Sequence, residues 1–574
     1  MKKYFIYIVL LGIIFFSCEN EKNNTVNNSN NTNNNNDKSE ISYVEMFSNE
    51  QISQEIEWYP CPLTEGGPEN NALCADFSVP LDWNDPENQL ISIRVKKTIA
   101  LREVKRTVVM LQGGPGGSST IDFPYYMPEM ALLDPEAEFI AFDHRGTGYS
   151  TFLTCPSAVS TEGPYGRAIS EDEITECIQG ELIENKEWLE KFNITNASKD
   201  LGYFIELIRK DGIRNHVYGV SYGSSWAHRY AQIFPNQASS VTLDSMCLVG
   251  ACFLDDYDVN SETGFVNLLK ECNENQMCSQ KMGGDAVSHV RDTLDNLKSG
   301  HCNSFDADTI RYLTFSLAIQ KSISSLSVAL WYRLARCSSE DITAINNLIA
   351  TVFGQKKNNP LHIDNLPLDV IQLNYILFLN IAVSEMIHSP AYSVDYVSER
   401  YEDLLTGVKL DYRLSQRASP WPVYEKDEWY GKFAETNRNF LLLNGTHDLQ
   451  TPENVSSISV SKLQGENHFS FLIPWANHGV LWSSEVETRG RPGCGLSIFL
   501  EYIKDPSRKP SAPCMDELKR PDFNIPENYA AYFFGTSDAW ENGGKLVEPE
   551  LDKETAKTFK YIISKIRAGY FSPI

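Results

Sequence analysis

Short, nearly unbroken apolar runs that end in glycine or polar residues recur along the chain from about residue 45 onward. Val108–Leu111, Phe139–Phe142, His216–Val220 and Val241–Leu243 are separated by helix-like stretches such as Ser198–Lys210 and Ser224–Ile233. Runs of this kind read as strands buried on both faces. Two more, Phe440–Leu443 and Phe469–Ile473, occur far downstream. Strands alternating with helices predict a doubly wound, mostly parallel α/β sheet. Between about 250 and 430 the strand signal fades, and Tyr312–Cys337 and Leu366–Ile387 have helical length and spacing. The pattern predicts a core in two parts, 46–250 and 431–574, divided by a mainly helical cap at 251–430. A last helix is expected over Lys553–Arg567, after a polar stretch that the pattern does not assign.

The amino terminus is of another kind. Met1-Lys2-Lys3 precedes the apolar run Tyr4–Phe16 and then Ser17-Cys18. A basic start, a short apolar run and a small residue before the break describe a secretory signal over 1–17. The run falls short of the roughly 20 residues a membrane span needs. Phe15-Phe16-Ser17-Cys18 is similar to a bacterial lipobox, with Phe15 where leucine is usual, which makes Cys18 the expected lipidation site. Residues 18–45 are dominated by asparagine, a composition suited to a flexible tether. The expected location is therefore the bacterial cell envelope, reached through a lipid anchor.

Composition adds two constraints. Among 574 residues, 76 are acidic and 50 are lysine or arginine, for a formal charge of −26. Phosphate backbones would repel such a surface, so nucleic acid is not an expected partner. Setting Cys18 aside leaves twelve of the thirteen cysteines. An exported chain permits disulfides. Sequence proximity suggests the pairs Cys61/Cys74, Cys155/Cys177, Cys247/Cys252, Cys272/Cys278 and Cys494/Cys514, leaving Cys302/Cys337, although sequence does not fix connectivity. No CxxC pair or histidine cluster has metal spacing, so no metal and no cofactor are expected.

The chemistry concentrates at strand ends. Gly219-Val220-Ser221-Tyr222-Gly223 is a G-x-S-x-G placed after an apolar strand and before a helix. Such a turn exposes the serine hydroxyl at the carboxyl end of the sheet. A hydroxyl nucleophile needs a base, and the base needs an orienting carboxylate. Asp448 follows Phe440–Leu443, and His478 follows Phe469–Ile473, in the order serine, acid, histidine. His447 and His468 are rival bases, but neither occupies the loop after the last strand. Gln112-Gly113-Gly114-Pro115-Gly116-Gly117-Ser118 follows Val108–Leu111 and supplies a glycine loop beside the serine. It lacks the lysine and the spacing of a phosphate loop.

These motifs resemble a known family. The glycine loop looks like the HGGPG loop of the proline iminopeptidase branch of the α/β-hydrolases, with Gln112 in place of histidine. Asp143-His144-Arg145-Gly146-Thr147-Gly148 is similar to that branch's D-x-R-G-x-G. Within it, Cys61, Cys74-Ala75 and Val79-Pro80-Leu81-Asp82-Trp83 resemble the start of secreted tripeptidyl aminopeptidase-like proteases. Gly445–Pro452 resembles their G-x-x-D-x-x-T-P, and Cys494–Cys514 their cysteine-bounded carboxyl-terminal segment. The resemblance implies an α/β-hydrolase fold and a serine exopeptidase acting on peptides with a free amino terminus. It assigns Ser221 as nucleophile, His478 as general base and acid, and Asp448 as orienter. The backbone N–H groups of Gly114 and Tyr222 would form the oxyanion hole. Asn380-Ile381-Ala382-Val383-Ser384-Glu385 is similar to the family's A-I-x-C-x-D, which nominates Glu385 to bind the substrate amine. Val383 and Ala418 stand where the family has a cysteine pair. A carboxylesterase or lipase on the same fold is the alternative activity, and a non-catalytic binding lipoprotein a more distant one.

Overall fold

Nine strands form one sheet in a computed structural model that describes residues 47, 55–64, 66–68, 70–153, 175, 177–353, 373–434, 438–541 and 551–567. They are β1 Tyr59–Cys61, β2 Ala72–Pro80, β3 Leu90–Lys97, β4 Arg106–Leu111, β5 Ala137–Phe142, β6 Arg214–Val220, β7 Ser240–Asp244, β8 Asn439–Gly445 and β9 His468–Ile473. Their spatial order is β1-β2-β3-β5-β4-β6-β7-β8-β9. From β5 to β9 every neighbouring pair is parallel. The apolar runs of β4, β7 and β8 are buried along almost their whole length, as strands covered on both faces must be. β1, β2 and β3 join antiparallel at one edge. Side chains there alternate between buried and exposed, so no continuous apolar run announced them.

Helices α1 Ile194–Ile208 and α2 Tyr222–Ile233 pack together on one face of the sheet. There Phe204 of α1 and Trp226 of α2 lie 5.2 and 5.7 Å from the Phe142 ring of β5. Between β7 and β8 the described residues are mainly helical: α3 Tyr257–Glu274, α4 Ala307–Ala318, α5 Ser325–Arg336, α6 Ser339–Phe353, α7 Tyr375–Glu385 and α8 Leu410–Ala418, with further helices among them. The single helix expected over Tyr312–Cys337 is instead two segments bent by 116° around Ile319-Gln320. Gln320 is extended, and Lys321 turns its ammonium onto the carbonyl of Trp475 at 2.7 Å. The break is thus set by a contact with the core, which local periodicity does not record. Of the expected Leu366–Ile387 helix, α7 is present, and residues 354–372 lie outside the described ones.

α9 Val480–Ser483 and α10 Cys494–Lys504 follow β9, and Leu496, Phe499 and Ile503 of α10 share a buried cluster with Val108, Met110, Tyr218 and Leu441. Phe139 and Ala141 of β5 belong to that cluster, on the face opposite Phe142, as strand alternation requires. The tail forms α11 Glu527–Phe533 and α12 Lys553–Arg567, and both pack on α6 of the insertion. Arg333 of α5 donates to the carbonyls of Asp538, Ala539 and Glu541. The tail, expected to belong to the second half of the core, is therefore stitched to the helical insertion.

Five expected disulfides are formed: Cys61–Cys74, Cys247–Cys252, Cys272–Cys278, Cys302–Cys337 and Cys494–Cys514. The expected Cys155/Cys177 pair is not among these five. Cys177 is buried and itself disulfide-bonded, but Cys155 lies outside the described residues, as do Cys18 and the signal and tether. Bridges in this number fit an oxidising compartment. No single described helix is long and apolar enough to cross a membrane.

Candidate active site

The carboxyl ends of β4, β6, β8 and β9 lead into the segments that carry Gly114, Ser221 with Tyr222, Asp448 and His478, at one edge of the parallel sheet, where α/β sheets place ligands. Ser221 sits between β6 and α2 with φ 58° and ψ −129°, a left-handed conformation that a non-glycine residue holds only at a cost of about 1–3 kcal/mol. The turn is that tight because both flanking glycines are compressed. A Cβ on Gly219 would lie 2.0 Å from the Gly223 carbonyl oxygen, and one on Gly223 would lie 2.3 Å from that of Leu111. The turn is also held from outside, since the Ser221 amide donates to the Asp244 carbonyl at 3.0 Å.

The glycine loop presses against this serine. A Cβ on Gly113 would sit 2.6 Å from Ser221 Cβ and 3.1 Å from its Oγ. The Gly113 amide is already occupied, donating to Gln112 Oε1 at 2.8 Å, while Gln112 Nε2 donates to Asp122 at 2.8 Å. Gly114, next along, has φ 116°. Tyr222 opens α2, so its amide has no acceptor within the helix. Asp143, from the D-x-R motif, accepts from Ser118 Oγ, from the Thr120 amide and hydroxyl, and from the Tyr149 amide. It anchors the far end of the glycine loop.

Asp448 and His478 meet directly. His478 Nδ1 lies 3.0 and 2.9 Å from the two carboxylate oxygens of Asp448. Asp448 is fully buried, whereas the His478 side chain keeps 15% exposure. Burial pushes the Asp448 carboxyl up. His478 and the amide and hydroxyl of Thr451 outweigh it, so the net shift is below the ordinary aspartate value. Thr451, quoted in the sequence motif without a role, donates Oγ1 to Asp448 Oδ2 at 2.8 Å and lies 3.2 Å from His478 Nδ1. The amides of Gln450 and Thr451 also donate to Asp448 Oδ1. A carboxylate fixed by so many donors presents one orientation to the imidazole.

The rival histidines are elsewhere. His447 is buried against Thr446 Oγ1, and burial, then Lys321, lower its pKa to about 3. His468 starts β9, its ring 4.9 Å from that of Phe440. Glu385 ends α7 and is buried. Its Oε2 accepts from Arg229 of α2 at 3.1 Å and its Oε1 from the Tyr424 hydroxyl at 2.8 Å. Arg229 is shared with Asp427. The carboxylate nominated for a substrate ammonium forms an internal ion pair with Arg229. Its partner lies 156 residues away, so the motif alone did not reveal it.

A family described as the alpha/beta hydrolase fold matches residues 106–270, from β4 into α3. The chain has the α/β-hydrolase fold. That match contains the glycine loop and Ser221 but ends before Asp448 and His478. Over 208 residues, 33% of its length, this α/β-hydrolase-fold protein is 24% identical to a tripeptidyl aminopeptidase of Streptomyces lividans, of which the match covers 38%. Over 266 residues, 42% of its length, it is 23% identical to serine protease Hip1 of Mycobacterium tuberculosis, covering 49% of it. The chain thus spans less than half of the length of these relatives. A solved proline iminopeptidase of Mycobacterium smegmatis aligns with 70% of the chain and 91% of its own length, at 14% identity and a TM-score of 0.32. Among the described residues no group of three or more histidine, cysteine or acidic side chains could hold a metal ion.

Proposed function

We propose that the protein is an exported serine exopeptidase that hydrolyses peptide bonds near a free amino terminus. The observation that carries the serine-hydrolase part is the bonded Asp448–His478 pair, set at the same sheet edge as the strained Ser221 turn. The aminopeptidase part rests on the name of the Streptomyces relative, and the name of the Mycobacterium relative supports only a serine protease.

In this reading Ser221 Oγ attacks the scissile carbonyl carbon while His478 Nε2 takes its proton, and Asp448 steadies the resulting imidazolium. The amides of Tyr222 and Gly114 hold the oxyanion that forms. His478 then gives the proton to the departing amine, leaving an acyl group on Ser221. A water, deprotonated by His478, attacks that ester, and collapse returns the proton to Ser221. Cys18 tethers the enzyme to the envelope membrane through its lipid.

Purified protein assayed on free-amine mono-, di- and tripeptidyl reporters beside their blocked versions tests this reading. Turnover is expected for the free amines and is expected to vanish in Ser221→Ala. Retained turnover in that variant refutes the nucleophile. Preference for blocked amines and simple nitrophenyl esters would make the protein a carboxylesterase.

A further inference from the structure

Asp244, the last residue of β7, takes no part in the chemistry above, yet it touches both halves of it. Its carbonyl accepts the Ser221 amide at 3.0 Å. Its carboxylate reaches the other way: Oδ1 accepts from the Val480 amide at 2.9 Å and Oδ2 from the Leu481 amide at 3.1 Å. Those amides lie two and three residues beyond His478. The next residue, Ser245, has φ 51°, donates Oγ to Asp244 Oδ1 at 3.1 Å and accepts the Gly479 amide at 2.9 Å. Tyr218 of β6 donates its hydroxyl to Oδ2 at 2.8 Å from beneath. Three consecutive amides after His478 therefore end on one dipeptide, whose backbone also fixes the Ser221 turn.

We propose that Asp244 is a positioning residue that holds the histidine loop and the nucleophile turn at a fixed separation. The proposal rests on the serine-hydrolase reading for its kinetic consequence and on geometry alone for its structural one. The carboxylate is completely buried and accepts four donors, two on each oxygen. An asparagine has the same shape but one acceptor oxygen, so its NH2 must face either the Val480 or the Leu481 amide. The loop then gives way where it carries His478. Displacement of a reacting group by about 1 Å costs on the order of 10²-fold in rate.

The test uses the mature full-length protein and the variants Asp244→Asn and Tyr218→Phe, with Ser221→Ala as the inactive control. Asp244→Asn is expected to lower kcat by about 10²-fold while KM changes by less than about 3-fold. Tyr218→Phe removes one donor and leaves both amides bound, so a drop in kcat of a few-fold is expected; it keeps the test open if the asparagine variant fails to fold. Amide hydrogen exchange supplies a readout independent of turnover. Protection over 479–483 is expected to fall in Asp244→Asn and to stay intact in Ser221→Ala. Unchanged exchange in that segment in Asp244→Asn, kcat of that variant within about 3-fold of wild type, or unchanged kcat in Tyr218→Phe overturns the proposal. Wild type that turns over no substrate and resists fluorophosphonate, with exchange still altered by Asp244→Asn, refutes the serine-hydrolase reading and leaves the strut standing.

Discussion

Arg145→Met should be among the most damaging single substitutions in the core, although the residue touches no candidate catalytic group. Arg145 and Asp200 are both completely buried and joined by two bonds, Nε to Oδ2 at 2.7 Å and Nη2 to Oδ1 at 2.6 Å. The same guanidinium donates to the carbonyls of Leu81, Pro80 and Lys191, and Trp83 Nε1 donates to Asp200 Oδ1. Removing the cation leaves a buried carboxylate with one indole donor. Breaking such a pair costs about 3–5 kcal/mol. At about 2 °C per kcal/mol for a large unit, the apparent Tm should fall by roughly 5–10 °C. Scanning calorimetry at a fixed rate with the disulfides intact measures this. Adding Asp200→Asn removes the stranded charge but leaves three carbonyls unpaired, so the double variant should recover part of the loss and not all of it.

The pH dependence supplies a second check. Burial pushes the Asp200 carboxyl above the ordinary aspartate value, and Arg145 opposes that. Without the guanidinium the folded-state pKa rises further. A carboxyl raised on folding contributes stability below its unfolded pKa of about 3.9 and loses it as pH climbs through the folded value. The deficit of Arg145→Met should therefore be smallest near pH 4 and grow toward pH 7. A deficit under about 1 kcal/mol, or a double variant no more stable than the single, would refute the reasoning.

Asp448→Asn should lower kcat by about 10⁴-fold with the fold intact, read by steady-state kinetics beside circular dichroism. Because the folded Asp448 carboxyl lies below its ordinary value, the stability it contributes is complete above about pH 4 and is lost as pH falls further; acid unfolding of Asp448→Asn should accordingly be shallower than that of wild type below pH 4. Replacing Cys302 and Cys337 by alanine opens the bridge with the widest span among the described disulfides, 35 residues, and should cost about 3–4 kcal/mol in urea unfolding with the other bridges oxidised. Glu385→Gln should lower turnover of free-amine and blocked-amine reporters by the same factor, because its carboxylate is spent on Arg229 and Tyr424; a loss confined to free amines would restore the substrate-amine role.

The parallel centre of the sheet was legible because strands covered on both faces need continuous apolar runs, and β4 to β8 have them. The antiparallel edge was not, since β2 and β3 alternate buried with exposed positions and carry Asp76, Arg94 and Lys96. Asp448 and His478 stood out by their order and by their place after strands. Thr451 and Asp244 did not, because a threonine or aspartate at a strand end is common and only its partners give it meaning. Those partners are remote: Asp244 binds amides 236 and 237 residues away. The bend at Gln320 and the docking of the tail on the insertion have the same origin. Both are decided by contacts, Lys321 to Trp475 and Arg333 to Asp538–Glu541, that no local pattern contains.

The family-like motifs that carry no chemistry explain how the glycine loop can be built almost without side chains and still hold its shape. Asp143 fixes the loop's exit at Ser118 and Thr120, and Arg145, two residues on, binds the carbonyls of Pro80 and Leu81 and the Asp200 that Trp83 also holds. The D-x-R and V-P-L-D-W segments are thus two sides of one scaffold. At the loop's entry Gln112, which stands where the HGGPG loop it resembles has histidine, bridges the Gly113 amide to Asp122. A neutral imidazole offers one donor and one acceptor, and so does the glutamine amide used in this way. The amide does not titrate, whereas an imidazole gains a proton within the pH range of most assays. Gln112 itself therefore contributes nothing to the acidic limb of the rate profile, which is left to groups other than residue 112.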